Sequence, residues 1–219
     1  MQEPIKTYDF DIVEIMKRGW YESAGVRSLF FAGFALYVLA GLAYQTVMEI
    51  FFPSSAQQPD IVNNTVVTLL SFPVLMPLMV GLMTAALRHV RGETVTFGDF
   101  FAYYAQTGVI SLASLVIYLM TTLGFLLLIL PGIYLSVAYT FTFLLMFDKG
   151  MTIWDAMELS RKAVSKHWFK IFALMLLIGA ALLGGFLTFG VGLYWAAPLA
   201  FVTLYGLLYE TMFGSHSSH

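Results

Sequence analysis

No charged side chain interrupts residues 107–147, which read TGVISLASLVIYLMTTLGFLLLILPGIYLSVAYTFTFLLMF. A helix needs about 20 apolar residues to cross the hydrocarbon of a bilayer, so this stretch is too long for one crossing. Pro131-Gly132 divides it, because proline removes a backbone donor and glycine opens a turn. The stretch therefore predicts two membrane-spanning helices, the second of which is short.

The composition of the whole chain agrees with a membrane protein. Hydrophobic residues make up 59% of the sequence and charged residues 11%, with a mean hydropathy of +0.81. Soluble domains average about 45–50% apolar and about 25% charged residues. A core of this size cannot hide that much apolar surface from water, so lipid must cover part of it. The net charge of −2 argues against nucleic acid as a partner.

Applied to the whole chain, the same criterion predicts a single transmembrane domain over residues 1–214 with six spans. They lie at about 28–50, 66–87, 107–129, 132–147, 169–188 and 192–212. Residues 53–60 form a polar loop after the first span. Residues 1–22 lack the continuous apolar stretch of a signal peptide, so we expect an uncleaved first helix. Residues 215–219 are either a native polar tail or a remnant of cloning.

The positive charges indicate the sidedness of the membrane. If the N-terminus is cytoplasmic, all 11 Lys and Arg residues fall on the inside: Lys6, Lys17, Arg18, Arg27, Arg88, Arg91, Lys149, Arg161, Lys162, Lys166 and Lys170. Cytoplasmic loops of membrane proteins are enriched in Lys and Arg, and six spans is the only simple number that fits this distribution. We therefore predict a multi-pass protein of the bacterial cytoplasmic (inner) membrane with both termini cytoplasmic.

An amphipathic stretch precedes each pair of spans. Residues 10–18, FDIVEIMKR, recur 144 residues later as residues 154–162, WDAMELSRK. In the middle of the chain, residues 96–99, TFGD, parallel residues 152–155, TIWD, and either threonine can cap a helix together with the aspartate three residues on.

These stretches predict an all-α fold of three hairpins, each led by a cytoplasmic interfacial segment. We expect interfacial helices at 10–22 and 153–166 and an interfacial stretch at 97–104, with their apolar faces in the acyl boundary. Favourable i,i+4 pairs are expected between Glu14 and Arg18 and between Glu158 and Lys162. The alternative is that these segments are ordinary loop helices packed on neighbouring protein.

Several short motifs resemble those of a known family. They are residues 17–20 (KRGW), 81–91, 130–135 (LPGIYL), 156–162 (AMELSRK), 167–172 (HWFKIF) and 209–214 (YETMFG). Over most of residues 10–214 the chain is similar to uncharacterised prokaryotic inner-membrane proteins that resemble the membrane domain fused to some glycerophosphodiester phosphodiesterases. The resemblance implies a polytopic membrane protein without an assigned activity. The phosphodiesterase domain of the fused relatives is a separate soluble unit, so the resemblance does not imply phosphodiesterase activity.

No motif in the sequence indicates a catalytic, metal-binding or phosphate-binding site. Glu49 and Glu210 lie near the ends of the first and sixth spans and Asp148 at the cytoplasmic end of the fourth, so we expect these carboxylates to face water rather than the bilayer midplane. No His-Glu-x-x-His motif or glycine-rich phosphate loop is present, and the absence of cysteine excludes thiolate ligands and nucleophiles. We therefore predict no catalytic residue, no metal site, no cofactor and no enzymatic activity.

One candidate site is a cationic surface, the basic cluster of Arg161, Lys162, Lys166 and Lys170 with Trp168 beside it. Cations beside an anionic leaflet each gain about 1 kcal/mol. The basic cluster can hold phospholipid headgroups or an acidic partner protein. The alternative is that these charges only set the topology.

Prolines form a second candidate site. Pro73 and Pro77 lie four residues apart in the second span, and Pro198 lies inside the sixth. Each frees a carbonyl one turn earlier and can kink its helix. Such a kink is either a hinge or opened backbone that lines a cavity, or a static bend accommodated by neighbouring side chains.

Two functions remain. The first is a non-catalytic inner-membrane scaffold or accessory factor that binds membrane lipids, anionic lipids included, or a membrane protein partner. The second is a transporter or channel for a neutral or amphipathic solute. A water-accessible cavity lined by the prolines favours the second, and a closely packed bundle favours the first.

The predicted topology is testable because the chain has no cysteine of its own. We expect a membrane-impermeant maleimide to label Ser55→Cys on intact cells and to leave Ser165→Cys unlabelled until the cells are opened. Labelling of Ser165→Cys from outside would overturn the topology.

Overall fold

The computed structural model describes residues 8–53 and 61–214, and every regular element in these ranges is helical. The helices are α1 (Ile12–Glu22), α2 (Arg27–Phe51), α3 (Ile61–Val90), α4 (Thr107–Leu127), α5 (Ile129–Ala138), α6 (Thr142–Asp148), α7 (Ile153–Lys166), α8 (Trp168–Leu187), α9 (Leu193–Phe201) and α10 (Tyr209–Phe213). A π-helical segment, Val202–Leu208, joins α9 to α10. Most of the predicted loop at 53–60 and the tail at 215–219 lie outside the described residues.

Six helical stretches of the described chain are long and apolar enough to cross a membrane. They are Ile12–Phe51, Ile61–Val90, Phe97–Leu127, Ile129–Asp148, Trp168–Leu187 and Leu193–Phe213. Their number and order agree with the predicted spans one to six, and the expectation of an all-α chain with six membrane-spanning helices is confirmed at this level. The first stretch also includes α1, which the short 3₁₀ segment Ser23–Val26 connects to α2.

The break between spans three and four falls earlier than Pro131-Gly132. Leu128 takes extended backbone angles (φ −163°, ψ 153°), and α5 starts at Ile129. Pro131 therefore lies in the first helical turn, where its missing N–H has no intrahelical bond to lose. Gly132 is required for a different reason, since the ring of Phe125 lies where a Cβ would stand.

Span four is itself broken, between α5 and α6, and α7 repairs the break. The buried hydroxyl of Ser160 donates a hydrogen bond to the carbonyl of Ala138 (2.7 Å) and accepts one from the N–H of Phe141 (3.3 Å). These bonds replace part of the helical ladder that is lost at the break. Met157 and Val164 on the same side of α7 are also buried. The apolar face of α7 therefore packs on neighbouring protein, which is the alternative given above, and not in the acyl boundary.

Span six forms the centre of the structure, and 83% of the residues in its most apolar stretch are buried. It crosses α3 closely, because a Cβ added at Gly206 would stand 2.9 Å from the carbonyl oxygen of Ala86. Helix α1 also packs on span six, and Gly19 of α1 lies directly against the side chain of Thr203. Small residues thus let two other helices approach the central one.

Most charged side chains of the described residues, Glu49 excepted, lie at one end of the bundle. Tyr8 donates to the carbonyl of Ala163 at 2.8 Å, and a ring nitrogen of His89 lies 3.0 Å from the carbonyl oxygen of Glu22. These contacts bring the start of the chain, α7 and the end of α3 together. We call this end, which contains α1, α7 and Arg91, the charged end.

The predicted threonine caps are present. The N–H and hydroxyl of Thr96 both donate to the carboxylate of Asp99 (2.7 and 2.8 Å). Thr152 accepts from the N–H of Asp155 at 3.3 Å and starts α7. In α1 the corresponding aspartate, Asp11, is itself the N-cap, so α1 starts later in the repeat than α7 does and later than predicted.

One of the two predicted ion pairs on these helices forms. Lys162 lies 3.2 Å from the carboxylate of Glu158, as expected. The prediction of a pair between Glu14 and Arg18 is wrong, because Arg18 bonds Glu22, one turn further along, at 2.6 Å. Either spacing is favourable on a helix, so the sequence alone does not decide between the two partners.

The two hydrogen bonds of Ser160 at the break in span four predict that loss of this one hydroxyl destabilises the protein. Ser160→Ala should lower the free energy of unfolding by about 1–3 kcal/mol, because it leaves a buried carbonyl and a buried N–H without their partner. The measurement is unfolding of the purified protein in mixed micelles. Ser136→Ala is the matched control, since the exposed Ser136 bonds only a carbonyl of its own helix. Equal stability of both variants would contradict the repair.

Candidate functional site

The most distinctive surface of the described chain is an apolar groove beside α1. It has a volume of about 390 Å³ and is lined by Ile12, Val13, Met16, Lys17 and Trp20 of α1, Leu177 of α8 and Leu199 of α9. We call it the apolar groove. Apart from the lysine, its wall consists of large apolar side chains from three helices.

The way in which α1 packs explains why this groove stays open. Ile15 and Gly19 are buried against the bundle and fix the face that α1 turns inward. Residues on the adjacent flank of the helix then point along the surface, and Val13 and Trp20 remain 60% and 44% exposed. A helix surface places residues three and four apart side by side, which makes this flank a continuous apolar wall.

Two cations without carboxylate partners flank the groove. Lys17 lines it, and the guanidinium of Arg27 lies 4.8 Å from the ring centre of Trp20. Neither Lys17 nor Arg27 forms an ion pair with any residue within the described ranges. The Nε of Arg27 is buried and has no hydrogen-bond partner there. Sequence reasoning missed this pair, because nothing in the pattern distinguishes these two cations from the other nine.

The predicted basic cluster is largely paired. Arg161 holds Glu158 through two hydrogen bonds (2.8 and 2.9 Å), and Lys162 shares the same carboxylate. The hydrogen bond from Arg161 is the main cause that lowers the pKa of Glu158 to about 2. Lys170 is paired with Asp9, whose pKa it lowers. These pairs leave less positive charge for a headgroup than the sequence indicates.

The remaining members of the basic cluster lie at the junction of α7 and α8. Lys166 ends α7, and the ring of Trp168 stacks on Phe172 with centres 4.9 Å apart. The indole N–H of Trp168 points to the carbonyl of Tyr134 at 3.4 Å. Lipid or partner binding by the basic cluster therefore stays a prediction, and the neutralised charges make it a weaker one than the sequence alone suggests.

A second cluster of charge ties three spans together. Arg91 holds both carboxylate oxygens of Asp148 at the end of span four, and its Nε donates to Glu210 in span six at 2.9 Å. The buried Tyr209 donates to the same Asp148 at 2.8 Å. We call these four residues the Arg91 clamp. The bonds to Asp148 are the main cause that raises the pKa of the Arg91 guanidinium above its ordinary value.

The Arg91 clamp corrects one expectation. Asp148 is expected to face water, whereas its side chain is only 15% exposed, and both Asp148 and the partly exposed Glu210 are bound to one guanidinium. The sequence places Arg91, Asp148 and Glu210 at the same ends of spans two, four and six. It does not show that these spans are neighbours in the bundle, and so it does not predict the pairing.

The prolines lie inside α3 and α9, as predicted. Pro73 is exposed, whereas Pro77 and Pro198 are buried. The hydroxyl of Tyr104 donates to the carbonyl of Val74 at 2.9 Å, next to the first proline. This contact is of the kind that accommodates a static bend. None of the three prolines lines the apolar groove, and a hinge or cavity role for them stays a prediction.

A polar cleft lies away from the charged end, between the end of α2 and the start of α3. It has a volume of about 230 Å³ and is lined by Gln45, Met48, Glu49, Phe52, Asn63, Asn64 and Val67. Asn63 donates to the carbonyl of Phe52 at 3.1 Å across this cleft. Within the described chain no group of three or more His, Asp or Glu residues is placed to hold a metal ion.

Comparison with known proteins finds no match among family models, curated proteins or solved structures. Fold and site together thus define a multi-pass helical membrane protein with an open apolar groove at its charged end.

The Arg91 clamp predicts non-additive stability. Arg91→Gln should lower the free energy of unfolding by about 2 kcal/mol, since it leaves the carboxylates of Asp148 and Glu210 without their guanidinium partner. The double variant with Asp148→Asn should lose less than the sum of the two single variants. Arg18→Gln is the control, because an exposed pair such as Arg18–Glu22 contributes little. Additive losses would show that the clamp does not act as a unit.

Proposed function

We propose that the chain is a non-catalytic accessory protein of the bacterial inner membrane that binds phospholipid at its cytoplasmic face. In this proposal the charged end is cytoplasmic and so are both termini. The six spans form three hairpins, and each is led by a segment that lies in the membrane interface. No step of this function needs a catalytic residue or a cofactor.

The main support for this proposal is a set of aromatic side chains that remain exposed at the charged end. Trp20 and Tyr21 on α1, Trp154 on α7 and Phe169 at the start of α8 are exposed at the charged end, and Arg27 lies over the ring of Trp20. Trp and Tyr prefer the headgroup level of a bilayer, where an apolar ring and a polar edge are both accommodated. In water the same side chains form an unfavourable apolar surface. Their position therefore supports interfacial placement of α1 and α7.

The packing of α1 and α7 leaves one face of each helix for the membrane surface, and in α7 this is the charged face with the exposed Trp154 rather than the apolar face. Each helix buries one face on the bundle, through Gly19 in α1 and Ser160 in α7, and leaves the opposite face free. Their charged residues lie on that free side with their local partners, as in the bond from Arg18 to Glu22. A helix anchored in this way holds a fixed depth at the membrane surface, which suits a scaffold that gathers lipid.

A transporter of a neutral or amphipathic solute is the second candidate, and one observation favours it. Span six is buried at the centre of the bundle, contains Pro198 and continues as the π-helical segment Val202–Leu208. π-Helical turns often occur at functional sites. Against this candidate, the Arg91 clamp ties span six to spans two and four, and Gly206 places it close against α3. We therefore favour lipid binding.

The proposal is tested by the depth of single tryptophans in nanodiscs of mixed phosphatidylglycerol and phosphatidylcholine. Variants that keep only Trp20 or only Trp154, with the other tryptophans changed to Phe, should be quenched most by lipids brominated near the headgroup. Brominated phosphatidylglycerol should quench Trp20 more than brominated phosphatidylcholine does, because Arg27 lies beside the Trp20 ring. A variant that keeps only Trp195 is the control, since Trp195 lies near the turn between α8 and α9. Absence of lipid quenching at Trp20 and Trp154 would contradict interfacial placement.

A further inference from the structure

We propose that the apolar groove binds a single anionic phospholipid, with an acyl chain between α1 and α8 and the phosphate at Lys17 and Arg27. This site deepens the proposed function and rests on it. It also moves the headgroup site from the predicted basic cluster to Lys17 and Arg27 at the charged end. The occupant is a lipid of the surrounding leaflet rather than a soluble phosphate, because most of the site is apolar.

The groove has the size and the lining of a small-molecule site. Its volume of about 390 Å³ falls within the range of about 300–1,000 Å³ that is usual for ligand pockets. Large apolar side chains form both of its walls, with Val13 and Trp20 on one side and Leu177 on the other. Such a surface is covered by an apolar ligand, and in a membrane the abundant apolar ligand is an acyl chain.

The groove reaches from the charged end into the acyl-chain region, because Leu199 on its wall lies eleven residues, about 16 Å of helix, from Glu210. Lys170 on α8 is bonded to Asp9 at the charged end. Leu177 is seven residues further into span five, which corresponds to about 10 Å along a helix. Interfacial helices bury their apolar faces about 5–10 Å into the boundary between headgroups and chains. A chain in the groove thus extends toward the bilayer centre while its headgroup stays level with α1.

The charges at the groove select an anion. Lys17 lines the groove, Arg27 lies 4.8 Å from the ring centre of Trp20, and neither forms an ion pair within the described residues. Arg161, Lys162 and Lys170, by contrast, are each bonded to a carboxylate. A lysine and an arginine without carboxylate partners complement a phosphate. Arg27 donates from one NH2 group to the carbonyl of Trp20 at 3.4 Å, which holds the guanidinium beside that ring. A net negative headgroup is therefore favoured over a zwitterionic one.

Native mass spectrometry of the full chain in detergent tests the headgroup site, with added phosphatidylglycerol or phosphatidylcholine of the same chains. Lys17→Gln with Arg27→Gln should weaken phosphatidylglycerol binding at least tenfold and remove the preference over phosphatidylcholine. The matched control is Arg18→Gln with Lys149→Gln, which removes the same charge outside the groove and should change the affinity less than twofold. Lys17→Gln alone should weaken binding in the same direction without any loss of the unfolding midpoint.

The acyl-chain site is tested by filling the groove. Leu177→Trp should weaken binding of both lipids, because it occupies the chain position, whereas Leu176→Trp on the neighbouring exposed position should not. Unchanged affinity in the Lys17 and Arg27 variants would overturn the proposal. So would a loss seen only on Lys162→Gln with Lys170→Gln, which would place the headgroup at the basic cluster, or a change of oligomeric state on Leu177→Trp, which would identify a second copy as the occupant.

These outcomes separate the groove from the broader function. If brominated phosphatidylglycerol still quenches Trp154 while the groove variants bind lipid normally, the groove proposal fails and interfacial lipid binding stands. If lipid quenches neither Trp20 nor Trp154, both fail.

Discussion

The structure depends on the requirement that backbone groups at membrane depth find partners inside the protein. Regular helices meet it by themselves, and some of the interruptions are met by a hydroxyl. Ser160 bonds both sides of the break in span four. Thr188 accepts from the N–H of Gly192 at 3.0 Å in the turn between spans five and six, and Tyr104 supports the proline region of α3. The bundle is therefore tied together largely where its helices are imperfect.

This dependence explains which features the sequence predicts. Helix number, order and approximate ends follow from apolar length, and the threonine caps follow from local spacing, so they are predictable from short windows. The break at Leu128 is not, because proline is tolerated in the first turn of a helix as well as at its end. The Arg91 clamp and the pairing of Lys170 with Asp9 join residues far apart in the chain, and only the packing of the helices decides them.

In the candidate site, too, the sequence predicts local features, whereas helix packing decides which charges are paired. The pattern of charges points to the basic cluster, since four cations within ten residues are conspicuous in a sequence. Three of them are paired in the fold, whereas Lys17 and Arg27, inconspicuous in the sequence, lie unpaired beside an open apolar groove. In the proposed function, lipid binding therefore depends on unpaired cations next to apolar surface rather than on the number of cations.

The central claim is that α1 lies in the membrane interface with its groove open to lipid. Spin-label accessibility in nanodiscs measures this directly, and the absence of native cysteine permits single labels. A nitroxide at Val13→Cys should collide mainly with oxygen, which partitions into lipid, and a nitroxide at Glu14→Cys mainly with a water-soluble nickel chelate. Equal access of the nickel chelate to both positions would place α1 in water and contradict the account.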